Sequence, residues 1–115
     1  MPLFGKKETA NIIYISYSGV TIEIAVPLGD SVMEGAIKNG VDGIVAECGG
    51  NAQCGTCHVY VEELWLSKLP SMQEDESAML DTTACPRRPN SRLSCQIPVT
   101  KELNGLTVHT PEAQV

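Results

Sequence analysis

Aromatic side chains are scarce in this chain, with one Trp, three Tyr and one Phe among 115 residues. Basic residues are few as well: eight Lys and Arg stand against fourteen Asp and Glu, for a formal net charge of −6 and a pI near 4.7. A nucleic-acid surface needs clustered cations, often interleaved with rings on which bases stack, so nucleic acid is not an expected partner. A basic protein surface is the better match. Long apolar runs are also missing. No stretch approaches the ~18 consecutive apolar residues of a membrane span, and Lys6 and Lys7 have no apolar run behind them, so neither membrane insertion nor export is expected. With no repeat, low-complexity tract or Pro/Ser-rich linker to mark a boundary, one domain over 1–115 is the expectation.

Cysteine, by contrast, is present in quantity. Five cysteines in a chain without a recognisable secretory leader point to metal or redox chemistry in a reducing compartment, and away from a disulfide framework. Three of them, Cys48, Cys54 and Cys57, lie in ECGGNAQCGTCHVYV, residues 47–61, among glycines and alanines.

Periodicity supplies a frame for them. Residues 11–17 are rich in Ile and Tyr, Ser18-Gly19 offers a tight turn, and Val20, Ile22, Ile24 and Val26 alternate with smaller or polar residues, which predicts a β-hairpin with a half-buried second strand. Ser31 to Glu34 has the form of a capping box, Val32, Met33, Ala36 and Ile37 repeat at helical spacing, and Asn39-Gly40 is a left-handed stop. After the cysteine loop, residues 58–61 read as a short strand and residues 64–69 as an apolar turn ending at Pro70. Ser71 to Glu74 is a second capping-box candidate, opening a short acidic helix to about Asp81. Residues 93–97 and 106–109 read as two strands, with Asn104-Gly105 near the turn between them. The pattern predicts an α+β roll in which one sheet grips a helix.

Cys54-Gly-Thr-Cys57 alone fits a thioredoxin-like pair, half of a zinc site, or, with His58, a C-x-x-C-H haem attachment. Each of these fits poorly. A thioredoxin-like pair belongs at a strand-to-helix junction, yet a strand-like HVYV follows Cys57. Covalent haem usually accompanies export, a zinc ribbon wants two C-x-x-C pairs, and none of the three uses Cys48. A 2Fe-2S centre does, because it needs four thiolates. Its negative charge must be solvated by the protein, and small residues at 46, 49, 50, 52 and 55 let the main chain wrap closely with N–H groups turned inward. The fourth thiolate is then Cys85 or Cys95.

The C-x5-C-x2-C run from Cys48 to Cys57, with a later cysteine in the context NSRLSCQI, resembles the 2Fe-2S ferredoxins of the adrenodoxin and putidaredoxin type. The likeness extends through NGVDGIVAECGG, CGTCHVYV and Met79-Leu80-Asp81, over most of the chain. It implies a β-grasp ferredoxin fold, α+β, with a mixed sheet gripping one main helix, short additional helices and a cluster-binding loop. It also implies Cys48, Cys54, Cys57 and Cys95 as ligands to one 2Fe-2S cluster, with Cys85 outside the motif. The implied function is that of a one-electron carrier, not an enzyme. Electrons would pass from an FAD-containing, NAD(P)H-dependent ferredoxin reductase to a cytochrome P-450 monooxygenase. A monomer in the bacterial cytoplasm, or in the mitochondrial matrix of a eukaryote, goes with that role. A ferredoxin supplying iron–sulfur cluster assembly shares the ligand spacing and is the alternative; a zinc-binding interaction module would share the cysteines without the redox chemistry.

Glu62, Glu63, Glu74, Asp75, Glu76 and Asp81 face Lys68 alone between positions 62 and 81, which by itself reads as a solvated helix face. The resemblance implies more: Glu74, Asp75 and Asp81 match acids that dock partners in the family, and Glu47 lies beside a ligand. Ala78 stands where the family has an acid. Glu76 and Arg92 match a salt-bridged pair, and His58 matches a histidine that ties the cluster loop to the domain. His109 has no partner visible in the sequence and reads as a surface residue.

Overall fold

In the computed structural model the described residues are 8–41, 57–83 and 85–111. Glu47, Cys48 and Cys54 lie outside them, as do Ile44 and Val45. The first strand, β1 (Thr9–Ile15), buries Ala10, Ile12 and Tyr14 on one face and half-buries Asn11, Ile13 and Ile15 on the other. It turns at Ser16–Val20, where the Ser16 amide donates to the Val20 carbonyl at 2.9 Å, into β2 (Thr21–Pro27), paired antiparallel from Thr9↔Pro27 to Ile15↔Thr21.

The alternation expected of β2 gives burial only at Val26; Val20 is 57% and Ile22 39% exposed. The cause is position: β2 is an edge strand, and the helix packed on the sheet covers only its far end. That helix, α1 (Val32–Lys38), starts on a complete capping box. The Glu34 amide donates to Ser31 Oγ at 3.0 Å, and the Ser31 amide donates to Glu34 Oε1 at 2.9 Å. Its C-cap is Asn39, followed by Gly40 at φ 66, a conformation that suits glycine after a helix end. Gly35 faces the sheet because nothing larger fits: a Cβ there would lie 2.6 Å from Val26 Cγ2 and 2.9 Å from the Tyr14 hydroxyl. Tyr14 donates that hydroxyl to the Val32 carbonyl at 2.7 Å, fastening helix to sheet.

The remaining strands are β3 (His58–Val61), β4 (Ser91–Leu93) and β5 (Thr107–His109). Sheet order is β2-β1-β5-β3-β4, with β1 and β5 parallel and the other pairs antiparallel. A mixed sheet that grips one main helix is the β-grasp arrangement. Two expectations change here. Residues 93–97 are not a strand: β4 ends at Leu93, the Ser94 amide continues the register by donating to the Cys57 carbonyl at 2.9 Å, and Ser94–Gln96 then form a single 3-10 turn closed by the Ile97 amide on the Ser94 carbonyl at 3.3 Å. The segments around 93 and 107 are not hairpin partners either, since β5 inserts between β1 and β3.

Two short helices join β3 to β4. The apolar turn expected at 64–69 begins as α2 (Glu63–Leu66), with Leu64 pointing outward at 71% exposure. The acidic helix α3 spans Glu74–Leu80, but the capping box at Ser71 does not form. Gln73 is the N-cap and makes no side-chain capping bond, so Glu76 occupies the third helical position; its carboxylate turns inward to Arg92 instead of back to the cap.

Candidate functional site

Cys57 immediately precedes β3 and is fully buried, while Cys95 is half-buried in the centre of the 3-10 turn after β4. His58 lies opposite Leu93 in the antiparallel register, which brings the two cysteine-bearing ends to the same end of the strand pair. Ser94 then binds one to the other. Both its amide, at 2.9 Å, and its hydroxyl, at 2.8 Å, donate to the carbonyl of Cys57. Gln96 adds a contact on the far side of Cys95, its side-chain Nε2 lying 3.4 Å from Cys95 Sγ.

The turn is anchored from below by a buried ion pair. Arg92 Nε donates to Glu76 Oε2 at 2.6 Å and Nη2 to Oε1 at 3.1 Å, with the two side chains only 7% and 1% exposed. The Leu93 amide also donates to Glu76 Oε2 at 2.9 Å, and Arg92 Nη1 donates to the Pro70 carbonyl at 3.0 Å. Buried charges persist only when paired and hydrogen-bonded, and here a two-pronged geometry meets that requirement. The pair links α3 to the backbone two residues before Cys95.

His58 is fully buried, edge-on to Tyr60, with Nε2 2.8 Å from Ser91 Oγ. Burial, and secondarily the Arg88 guanidinium, push its pKa down to about 4, so the ring is neutral near pH 7. Its bond to Ser91 crosses from β3 to β4 beneath the cysteine turn.

Glu74, Asp75 and Asp81 are all exposed. Asp81 is not a free charge, however: Arg87 Nη1 lies 2.9 Å from Asp81 Oδ1 and also donates to the Ser77 carbonyl at 3.0 Å. Among the described residues, neither Glu74 nor Asp75 has an ion-pair partner. His109 proves to have a partner, Glu62 Oε2 at 3.0 Å. Cys85 is half-buried and lines an open cleft of about 520 Å³ with Tyr17, Tyr60, Arg88 and His109, which neither Cys57 nor Cys95 borders.

Two cysteines on adjoining backbone, held by hydrogen bonds on both sides, with an amide N–H aimed at one sulfur, suit the donor set of an iron–sulfur cluster. The described residues contain no group of three or more metal-ligating side chains, two of the four expected cysteines lying outside them. No motif marks Ser94 or Gln96; their one signal in the sequence is that both are hydrogen-bonding residues adjoining Cys95.

Comparison with known proteins agrees with this chemistry. Residues 15–100 match the family described as a 2Fe-2S iron–sulfur cluster binding domain. The chain is 53% identical to rhodocoxin of Rhodococcus erythropolis over 104 residues, covering 90% of this chain and 97% of that protein. It is 44% identical to putidaredoxin of Pseudomonas putida over 105 residues, covering 91% and 98%. Among solved structures it superposes on the covalent putidaredoxin reductase–putidaredoxin complex with a TM-score of 0.86 and 45% identity, covering 89% of this chain and 98% of the matched one.

Proposed function

Because the chain belongs to the 2Fe-2S ferredoxin family, we propose that it is a one-electron carrier, not an enzyme, that takes electrons from an FAD-containing ferredoxin reductase and delivers them to a cytochrome P-450 monooxygenase. One 2Fe-2S cluster supplies the redox chemistry when bound. Cys48, Cys54, Cys57 and Cys95 hold it, and Glu47, Glu74, Asp75 and Asp81 form the surface that meets partners. The observation that supports the reading is the pair of hydrogen bonds from Ser94 to the Cys57 carbonyl, which sets the backbone of the third cysteine of the motif beside the residue preceding the fourth.

The chain's own residues hold and shield that site. Ser94, Glu76 and Arg92 fix the Cys95 turn, His58 and Ser91 brace the strands under it, and Gln96 faces the sulfur. Rigid ligands limit the rearrangement that accompanies each electron, as a carrier requires. The reductase partner is supported by the neighbour captured with its own reductase. High identity to rhodocoxin and putidaredoxin favours the oxygenase role over supply to cluster assembly. The carrier works as a single-domain monomer in the bacterial cytoplasm, and no helix among the described residues is long and apolar enough to cross a membrane.

Stopped-flow mixing tests the proposal. The reduced protein should pass its electron to a cytochrome P-450 from the same organism, and a flavin reductase should reduce the oxidised form. Failure of both transfers with a cluster-loaded protein would refute the carrier role.

A further inference from the structure

We propose that Gln96 tunes the redox equilibrium of the site: its side-chain amide donates an N–H···S hydrogen bond to Cys95 and thereby favours the reduced state. This rests on the reading that Cys95 is the fourth ligand. Gln96 closes the 3-10 turn Ser94–Gln96 with its side chain half-buried, and Nε2 lies 3.4 Å from Cys95 Sγ, within hydrogen-bonding reach of the larger sulfur atom. A thiolate offers only lone pairs, whereas a glutamine amide offers a donor at Nε2 and an acceptor at Oε1. Nitrogen toward sulfur is the attractive one of the amide's two orientations; oxygen toward sulfur would set two electron-rich atoms against each other.

The backbone makes this contact persistent. On the near side of Cys95, the Leu93 amide is held by Glu76 and both Ser94 donors are held by the Cys57 carbonyl. On the far side, the Ile97 amide donates to the Ser94 carbonyl at 3.3 Å and the Ile97 carbonyl accepts from Val32 at 2.9 Å, with Ile97 fully buried. The sulfur and the amide therefore share one pinned turn. Gln96 breaks and forms no covalent bond. When one electron arrives, part of its charge falls on the ligand sulfurs, and a donor already aimed at one of them is bound more tightly. A group that stabilises the more negative state raises the reduction potential, and hydrogen bonds to sulfur are among the levers that set the potentials of such sites.

The test uses the cluster-loaded protein and two variants. Gln96→Met keeps a similar volume without the donor, and Gln96→Glu keeps the shape but presents a carboxylate. Iron and acid-labile sulfide are measured first, then the midpoint potential by spectroelectrochemical titration, and the shift of the iron–thiolate stretches on transfer to deuterium oxide by resonance Raman. Both variants are expected to be reduced at more negative potential than the parent, Gln96→Glu the more so at a pH where it is ionised. Gln96→Met should also lose part of the deuterium shift. Variants with parental potentials and a parental deuterium shift would overturn the proposal. Failure of the underlying ligand reading registers separately, as a parent without iron or a Cys95→Ser protein with the parent's full iron and sulfide.

Discussion

At the scale of single residues, the packing under the cysteine turn gives two sharp tests. Glu76 serves Arg92 and the Leu93 amide at once, so Arg92→Ala leaves a buried carboxylate without its main counter-charge. Losing one partner of such a pair costs roughly 3–5 kcal/mol, several times the loss at an exposed pair. Denaturant unfolding should show that loss, together with faster release of iron. Replacing both members, Arg92→Met with Glu76→Leu, should recover much of it, because the desolvation cost of both charges disappears. An Arg92→Ala protein as stable as the parent would mean the pair is not a structural anchor. Gly35→Ala is the second test. A methyl group 2.6 Å from Val26 Cγ2 and 2.9 Å from the Tyr14 hydroxyl must push α1 off the sheet, at about 1–3 kcal/mol despite alanine's better helix propensity. A thermal melt that rises would show that the helix can shift without penalty.

At the scale of elements, local chemistry was legible where local chemistry decides. The capping box at Ser31 and the Asn39-Gly40 stop delimit α1, and HVYV is β3 to the residue. The sequence was a poorer guide wherever a distant partner competes. Ser71 and Glu74 have the pattern of a cap, but Glu76 and Arg92 need α3 in another phase, and the helix begins at Glu74 behind an uncapped Gln73. Gln73→Ser should therefore supply the missing side-chain acceptor and stabilise the protein by about 0.5–2 kcal/mol, read by denaturant midpoint. No gain would mean the N-cap geometry of α3 differs from that described. Likewise the run from Leu93 to Ile97 has strand composition, yet the chain turns after Leu93, where the Ile97 amide closes a 3-10 turn on the Ser94 carbonyl and the distant Val32 amide takes the Ile97 carbonyl. The place of β5 between β1 and β3, and the exposure of Val20 and Ile22 on the edge, depend on sheet order, which no local pattern carries. Of the candidate site, the buried His58 and the Glu76–Arg92 ion pair could be read from the resemblance, while Cys48 and Cys54 lie outside the described residues; the pairing of Asp81 with Arg87 could not be read, because it joins a helix end to a loop.

At the scale of the whole molecule, charge becomes function. A carrier that must leave each partner quickly uses a modest interface and long-range steering, and this chain has a net charge of −6 with Glu74 and Asp75 exposed on α3. Association with a basic partner surface should be fast at low salt and slow steeply as the Debye length falls from ~10 Å at 0.1 M to ~3 Å at 1 M. Asp75→Lys and Asp81→Lys each change the charge of this face by two units, so both should slow encounter, by up to about tenfold at low ionic strength, with the effect closing as salt is added. Stopped-flow rates across a salt series check this; rates indifferent to salt, or equal in both variants and the parent, would return the acids of α3 to a purely solvating role. All of this depends on the redox centre itself. The most direct test is a reductive titration of the purified protein that counts electrons per chain against iron and acid-labile sulfide. One electron per chain, with matching iron and sulfide, is expected in the parent and in Cys85→Ser, and its loss in Cys95→Ala. Two electrons taken up by a thiol–disulfide couple, zinc in place of iron, or an undiminished Cys95→Ala protein would overturn the cluster assignment.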